Sequence, residues 1–172
     1  MTKALVVIDV QKIMWAHPDF QPYDGEGVVA RIADLIGRAR ASGTPVFWVQ
    51  HQEGEHMQPG APGFPFHDAV APGEDDDVTV KTKSSAFHGT DFDAKLKRAG
   101  VDHLIITGMQ SEYCVNSAIR GAYERDYKVT LVSDAHSTGD TRVAKAKDLV
   151  AIQNDTTAGS FGEVKPAAEI TF

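Results

Sequence analysis

Apolar residues fall in short unbroken blocks separated by stretches with helical spacing, a pattern that predicts buried parallel strands alternating with amphipathic helices. Residues 4–8 (ALVVI) form the first block, and its lack of polar alternation fits a strand covered on both faces. Over 27–41, Val28, Ile32, Leu35, Ile36 and Ala39 recur at helical intervals, which marks one face of a helix. Ser42-Gly43-Thr44-Pro45 ends that helix, because glycine and proline stop its propagation. Further strands are predicted at 46–49, 78–81, 102–107 and 129–132, with a last short one within 158–164. Helices are predicted over 91–99, after Cys114 where Val115, Ala118, Ile119 and Ala122 share a face, and from 141 to about 154. The alternation predicts an α/β fold, a parallel sheet covered by helices on both faces.

Residues 51–77 contain Gly54, Pro59, Gly60, Pro62, Gly63, Pro65, Pro72 and Gly73. They read as loop, and a loop of that length in a compact domain usually serves a function, so it is expected to wall a pocket. Its acidic run, Glu74-Asp75-Asp76-Asp77, reads as solvated surface. Trp48, inside the second strand, is assigned to the core.

The chain has 172 residues, the size of one domain, and is expected to form a single unit over 1–172. With 42% hydrophobic and 24% charged residues it has the composition of a globular protein, and no run approaches the ~20 apolar residues that span a bilayer. No secretory signal is recognisable at the N-terminus, so a cytoplasmic location is expected. The formal charge of −7, with lysines and arginines scattered along the chain, disfavours nucleic acid as a partner. Cys114 is the only cysteine, which excludes an intramolecular disulfide and every multi-cysteine zinc pattern.

Ligand crevices in open α/β sheets lie at the carboxyl ends of the strands. The polar residues there are Asp9 after the first strand, Gln50 and His51 after the second, Lys81 after the third and the segment leading to Cys114 after the fourth. A thiol attacks as thiolate, its free pKa is about 8.5, and a nearby cation or helix N-terminus lowers that value. Lys81 and the helix beyond Cys114 could supply both influences, and Asp9 could take and return the proton, as acyl transfer requires. Taken singly, a lone cysteine is more often core filler, Asp9 a cap and Lys81 a surface charge. The residues alone leave a cysteine hydrolase and an ordinary domain evenly matched.

Three separated motifs resemble the isochorismatase-like cysteine hydrolases, the superfamily of nicotinamidases, N-carbamoylsarcosine amidase and ureidoacrylate amidohydrolases. ALVVIDVQ (4–11) is similar to the family's first strand with its catalytic Asp. VKTKSSAFHGTDFDAKL (80–96) is similar to its K-x-x-x-S-A-F-x-x-T segment, and IITGMQSEYCVNSAIRGAYERDYKVTLVSDAHST (105–138) to its nucleophile strand and helix. The resemblance implies a three-layer α/β/α sandwich whose six-stranded, mostly parallel sheet has the order 3-2-1-4-5-6. It also implies that Cys114 attacks a carbonyl carbon, Asp9 shuttles the proton and Lys81 stabilises thiolate. Lys83 is the rival lysine; Lys81 is preferred because Ser85 follows it by four residues. A cis Met109–Gln110 peptide is implied, with the N–H groups of Gln110 and Cys114 as the oxyanion hole.

The implied reaction is cleavage of an amide, ureido or carbamoyl C–N bond of a small molecule through a thioester, with no organic cofactor. Nicotinamidases also carry a metal through an Asp-x-His pair and a further His; the corresponding VFWVQHQEGEH lacks that pair, and although His51, His56 and His67 could gather around zinc, no metal is assigned. Trp15, Gln50, His51, Phe64, His67, Phe87 and Tyr113 are the candidate substrate contacts, since aromatic and polar groups suit a small planar ligand. The resemblance further implies a homo-oligomer, dimer or tetramer, and no membrane partner. Two alternatives stand beside this reading: vinyl ether cleavage, which relatives manage without the cysteine, and a non-enzymatic member of the fold.

Overall fold

The computed structural model describes residues 1–17 and 21–172. Six strands, β1 (Lys3–Ile8), β2 (Val46–His51), β3 (Asp77–Lys81), β4 (His103–Met109), β5 (Lys128–Ser137) and β6 (Glu163–Lys165), form one sheet in the order β3-β2-β1-β4-β5-β6. Every neighbouring pair is parallel. Among the described residues the α-helices are α1 (Gly25–Ala41), α2 (Phe92–Arg98), α3 (Asn116–Tyr123) and α4 (Ala146–Ser160).

Alternate residues of the buried strands serve opposite faces, as the pleat requires. Ala4, Val6 and Ile8 of β1 join Phe92 and Leu96 of α2 and Ile119 and Ala122 of α3 in one core cluster. Leu5 and Val7 join Val28, Ile32, Leu35 and Ala39 of α1, with Trp48, in the other. Trp48 is fully buried as expected, and its indole N–H donates to Asp76 Oδ2 at 3.0 Å. Asp76 also accepts from Gly73 N at 2.7 Å and pairs with Arg40. That member of the acidic run is therefore a half-buried anchor for the loop entering β3, and not the solvated charge that composition suggests.

Most strand ends shift from expectation by a residue or two, β6 lies at Glu163–Lys165 rather than within 158–164, and β5 and α4 differ most. β5 runs to Ser137, well past 132, although its second half (SDAHS) is polar. The polar groups are satisfied inside: Ser137 Oγ donates to Tyr23 O at 2.6 Å, and His136 contacts Ser111 and Asn154. A register shift against β4 between Ile106 and Gly108 accommodates the extra residues. α4 spans Ala146–Ser160, not 141–154. Thr141 instead forms a turn, accepting from Val143 N and Ala144 N, while Asp140 Oδ1 caps Ala146 N at 2.8 Å. The helix continues past 154 because its inner face is polar but internally bonded, with Gln153 and Thr157 buried against each other. No helix among the described residues is long and apolar enough to cross a membrane.

Candidate active site

The carboxyl ends of β1, β3 and β4 bring together Asp9, Lys81 and the turn that carries Cys114. Asp9 stops β1 because its backbone is left-handed, φ 49°, a conformation aspartate tolerates better than most residues. Its N–H still bonds Val49 O at 2.9 Å, and its own carbonyl accepts from Gln11 N at 2.8 Å. Gln11, also buried, fastens the neighbouring loop: Nε2 donates to His51 O (3.0 Å) and Phe64 O (2.8 Å), and Oε1 accepts from His51 N (2.8 Å). Lys81 ends β3 beside His51, its register partner at the end of β2.

β4 approaches β1 closely at Gly108, where φ is 121°. A Cβ there would lie 2.1 Å from Ile8 O, so the position requires glycine. The next peptide, Met109–Gln110, is cis. A single π-helical turn, Ser111–Val115, then leads into α3, with Tyr113 N and Val115 N both bonding Gln110 O at 3.1 and 3.2 Å. Behind this turn Ser111 Oγ meets His136 Nδ1 at 2.8 Å, and His136 Nε2 meets Asn154 Oδ1 at 3.0 Å. Burial lowers the pKa of His136, keeping it neutral in that chain.

At the centre, Lys81 Nζ lies 2.7 Å from Asp9 Oδ2, 3.2 Å from Cys114 Sγ and 3.0 Å from His51 Nδ1. The Lys81 and Asp9 side chains are 0% and 1% exposed, whereas Cys114 is half-buried and reaches a pocket of about 310 Å³. Burial pushes the Cys114 thiol up to about 12, and the facing Asp9 carboxylate adds to this while Lys81 opposes it. Burial also raises the Asp9 carboxyl, against the pull of Lys81. The sequence predicts a low-pKa thiolate, whereas here desolvation outweighs the lysine and raises the thiol, with the Asp9 carboxyl raised beside it.

His51, Gln110 and Tyr113 line the pocket with Asp9 and Cys114; Tyr113 is 53% exposed. Trp15, Gln50, Phe64, His67 and Phe87 do not line it. Trp15 and His67 pack on each other, ring centres 4.6 Å apart. Gln50 Nε2 donates to Phe64 O at 2.9 Å, so this pair closes the loop. Phe87 is buried against Phe92 and stacked by Arg125. The pocket recruits Met14, Glu53, Met57, Thr82, Lys83 and Ser84 instead. Thr82, Lys83 and Ser84 could have been anticipated from their position directly after Lys81; nothing in the sequence singles out Met14 or Met57. Lys83 is exposed at the pocket and Lys81 buried beneath it. Among the described residues no group of three or more His, Cys, Asp or Glu side chains is placed to hold a metal ion.

Residues 3–160 match the isochorismatase domain model. The chain belongs to the isochorismatase family. It is 35% identical over 142 residues to the uncharacterized isochorismatase family protein YddQ of Bacillus subtilis, covering 80% of this chain and 79% of that protein. Streptothricin hydrolase of Streptomyces noursei is 36% identical over 144 residues, 83% of this chain, which spans 57% of that longer enzyme. The ureidoacrylate amidohydrolase RutB of Methylobacterium radiotolerans is 30% identical, with 84% and 71% covered. Among solved structures, an isochorismatase from Pseudomonas putida superposes with a TM-score of 0.93 at 29% identity, covering 98% of this chain and 90% of that one. N-carbamoylsarcosine amidase from Thermoplasma acidophilum superposes with a TM-score of 0.85 at 26% identity over the full length of both chains. This isochorismatase-family chain thus has amide-cleaving hydrolases among its relatives.

Proposed function

We propose that this protein hydrolyses a C–N bond of a small amide, ureido or carbamoyl compound, with Cys114 as nucleophile, Asp9 as acid and base and Lys81 as a fixed cation. The observation that carries the reading is Lys81 Nζ within 2.7 Å of Asp9 and 3.2 Å of Cys114, with Asp9 and Cys114 on the wall of one pocket. The names of similar proteins, streptothricin hydrolase, ureidoacrylate amidohydrolase and N-carbamoylsarcosine amidase, support the class of bond.

The thiol, whose proton affinity burial raises, loses its proton to Asp9 as sulfur attacks the carbonyl carbon. The raised proton affinity of Asp9 makes it a stronger base than a surface aspartate. Negative charge moves to the carbonyl oxygen, where the backbone N–H groups of Gln110 and Cys114 would receive it. Asp9 then protonates the departing nitrogen, the C–N bond breaks, and ammonia or an amine leaves a thioester on Cys114. Asp9, again a carboxylate, takes a proton from water attacking that thioester, and the acid product and free thiol result. Lys81 holds the two acids together throughout.

The test is a panel of small primary amides, ureido acids and carbamoyl amino acids assayed for ammonia release, with Cys114→Ser, Asp9→Asn and Lys81→Met as controls. Turnover of at least one compound, reduced by roughly 10³-fold or more in each variant, is expected from loss of a nucleophile or its base. Turnover of a vinyl ether that survives Cys114→Ser would overturn the reading.

A further inference from the structure

The geometry points to His51 as a positioning residue that acts through Lys81, with its imidazole held in one tautomer by Glu53; the inference rests on the proposed role of Lys81. A lysine ammonium has three N–H donors and no acceptor. Asp9 Oδ2, Cys114 Sγ and His51 Nδ1 surround Lys81 Nζ at 2.7, 3.2 and 3.0 Å. Cys114 Sγ and His51 Nδ1 are its hydrogen-bond partners and Asp9 Oδ2 its ion-pair partner, in a place where the lysine side chain is completely buried.

This arrangement fixes the imidazole. An ammonium can only donate, so His51 Nδ1 must present its lone pair and the ring proton must sit on Nε2. Nε2 in turn faces Glu53 Oε2 at 3.1 Å, a carboxylate that can only accept when ionised. The backbone of His51 is immobilised on both sides by the Gln11 amide, so the ring cannot follow Lys81 if the lysine moves. The chain Glu53–His51–Lys81 thus aims one ammonium proton at Cys114 and keeps the charge beside Asp9. Without the Nδ1 acceptor, the third N–H would be buried and unpaired, and the ammonium would rotate toward the pocket to find water, away from sulfur.

His51 also lines the pocket, so a substrate contact is the competing role, and the two differ in what they change. Using the member of the amide panel hydrolysed fastest, His51→Leu is expected to lower kcat by roughly tenfold or more and to leave KM within about twofold. His51→Asn places an amide oxygen where Nδ1 stood, and is expected to recover most of that loss. His51→Gln, whose oxygen reaches the Nε2 position instead, is expected to recover little. A rise in KM at constant kcat, or equal impairment of the Leu and Asn variants, would overturn the proposal.

A second readout needs no turnover. In protein labelled with ¹⁵N-histidine, the His51 signals, assigned by their loss in His51→Asn, should show an unprotonated Nδ1 and a protonated Nε2. Lys81→Met should shift the Nδ1 signal and weaken that preference, which Glu53 alone then supports. A proton found on Nδ1 at neutral pH, or signals unchanged by Lys81→Met, would contradict the inference. If no amide in the panel is hydrolysed, the amidase reading fails by itself, and the tautomer measurement still decides the placement of His51.

Discussion

Asp9 has two opposite effects on its neighbours, and they can be separated by substitution. Its negative charge beside Cys114 helps to raise the thiol, while its carboxylate is the proposed acceptor of the thiol proton. Asp9→Asn is therefore expected to make Cys114 more reactive toward iodoacetamide at pH 8, because the facing charge is gone, while abolishing amide turnover. In the intact protein, the alkylation rate should keep rising as pH increases from 7 to 10, with the thiol held near 12 by burial first and Asp9 second. A plateau reached below pH 7, the mark of a preformed thiolate, would contradict this order of influences. A lysine and a helix start are visible in the sequence and predict such a thiolate, but the depth at which the group is buried is not visible there. Desolvation depends on the whole surrounding shell, and no local motif records it.

Among the elements, the β4 strand and the turn after it govern the site's geometry. Gly108 lets β4 pass close to β1, and the adjoining turn then swings Cys114 over Lys81. Gly108→Ala is expected to destabilise the fold by roughly 3 kcal/mol or more, within the range of strained backbone and overpacked core substitutions. The clash is with Ile8 backbone at 2.1 Å, which cannot move without disturbing Asp9 next to it. Urea denaturation measures the change, and a loss under 1 kcal/mol would show that β1 gives way easily. The strands and helices with apolar faces were legible from their periodicity, including β1, α1 and β2 and the face of α3. The second half of β5 and the far end of α4 were not, since their buried positions are Ser137, His136, Gln153 and Thr157. Ser137 and His136 are buried by bonds to distant partners and Gln153 and Thr157 by bonds to each other, and a polar pattern reads as surface until the partners are known.

Across the whole molecule, two buried histidines make stability depend on pH. Burial lowers the pKa of His103 and of His136 below the 6.5 of the unfolded chain. The unfolded state then binds protons that the folded state refuses, so stability is complete above about 6.5 and falls as pH drops below it. Asp9 acts in the opposite sense, because its folded carboxyl is raised from 3.8 and the folded state binds that proton more tightly than the unfolded chain. The urea midpoint of the wild-type protein should thus fall between pH 7.5 and 5.5, and His136→Asn should fall less over the same interval. An equal fall in both would remove His136 from the account. The candidate site follows the same division between local and distant causes. Asp9, Lys81 and Cys114 were legible because strand ends converge in a parallel sheet. The pocket wall was not, since the loop over 52–76 turns most of its aromatic side chains and Gln50 toward packing and closure, and only Glu53 and Met57 of that loop reach the pocket.

The proposal that Cys114 carries the acyl group is tested most directly by stopping the reaction with acid during turnover of the best amide and weighing the intact protein. The account predicts an added mass equal to the acyl fragment, located on Cys114 by peptide mapping, released by hydroxylamine and absent from Cys114→Ala. Amide hydrolysis at an undiminished rate in Cys114→Ala, with no adduct on the wild-type protein, would contradict it.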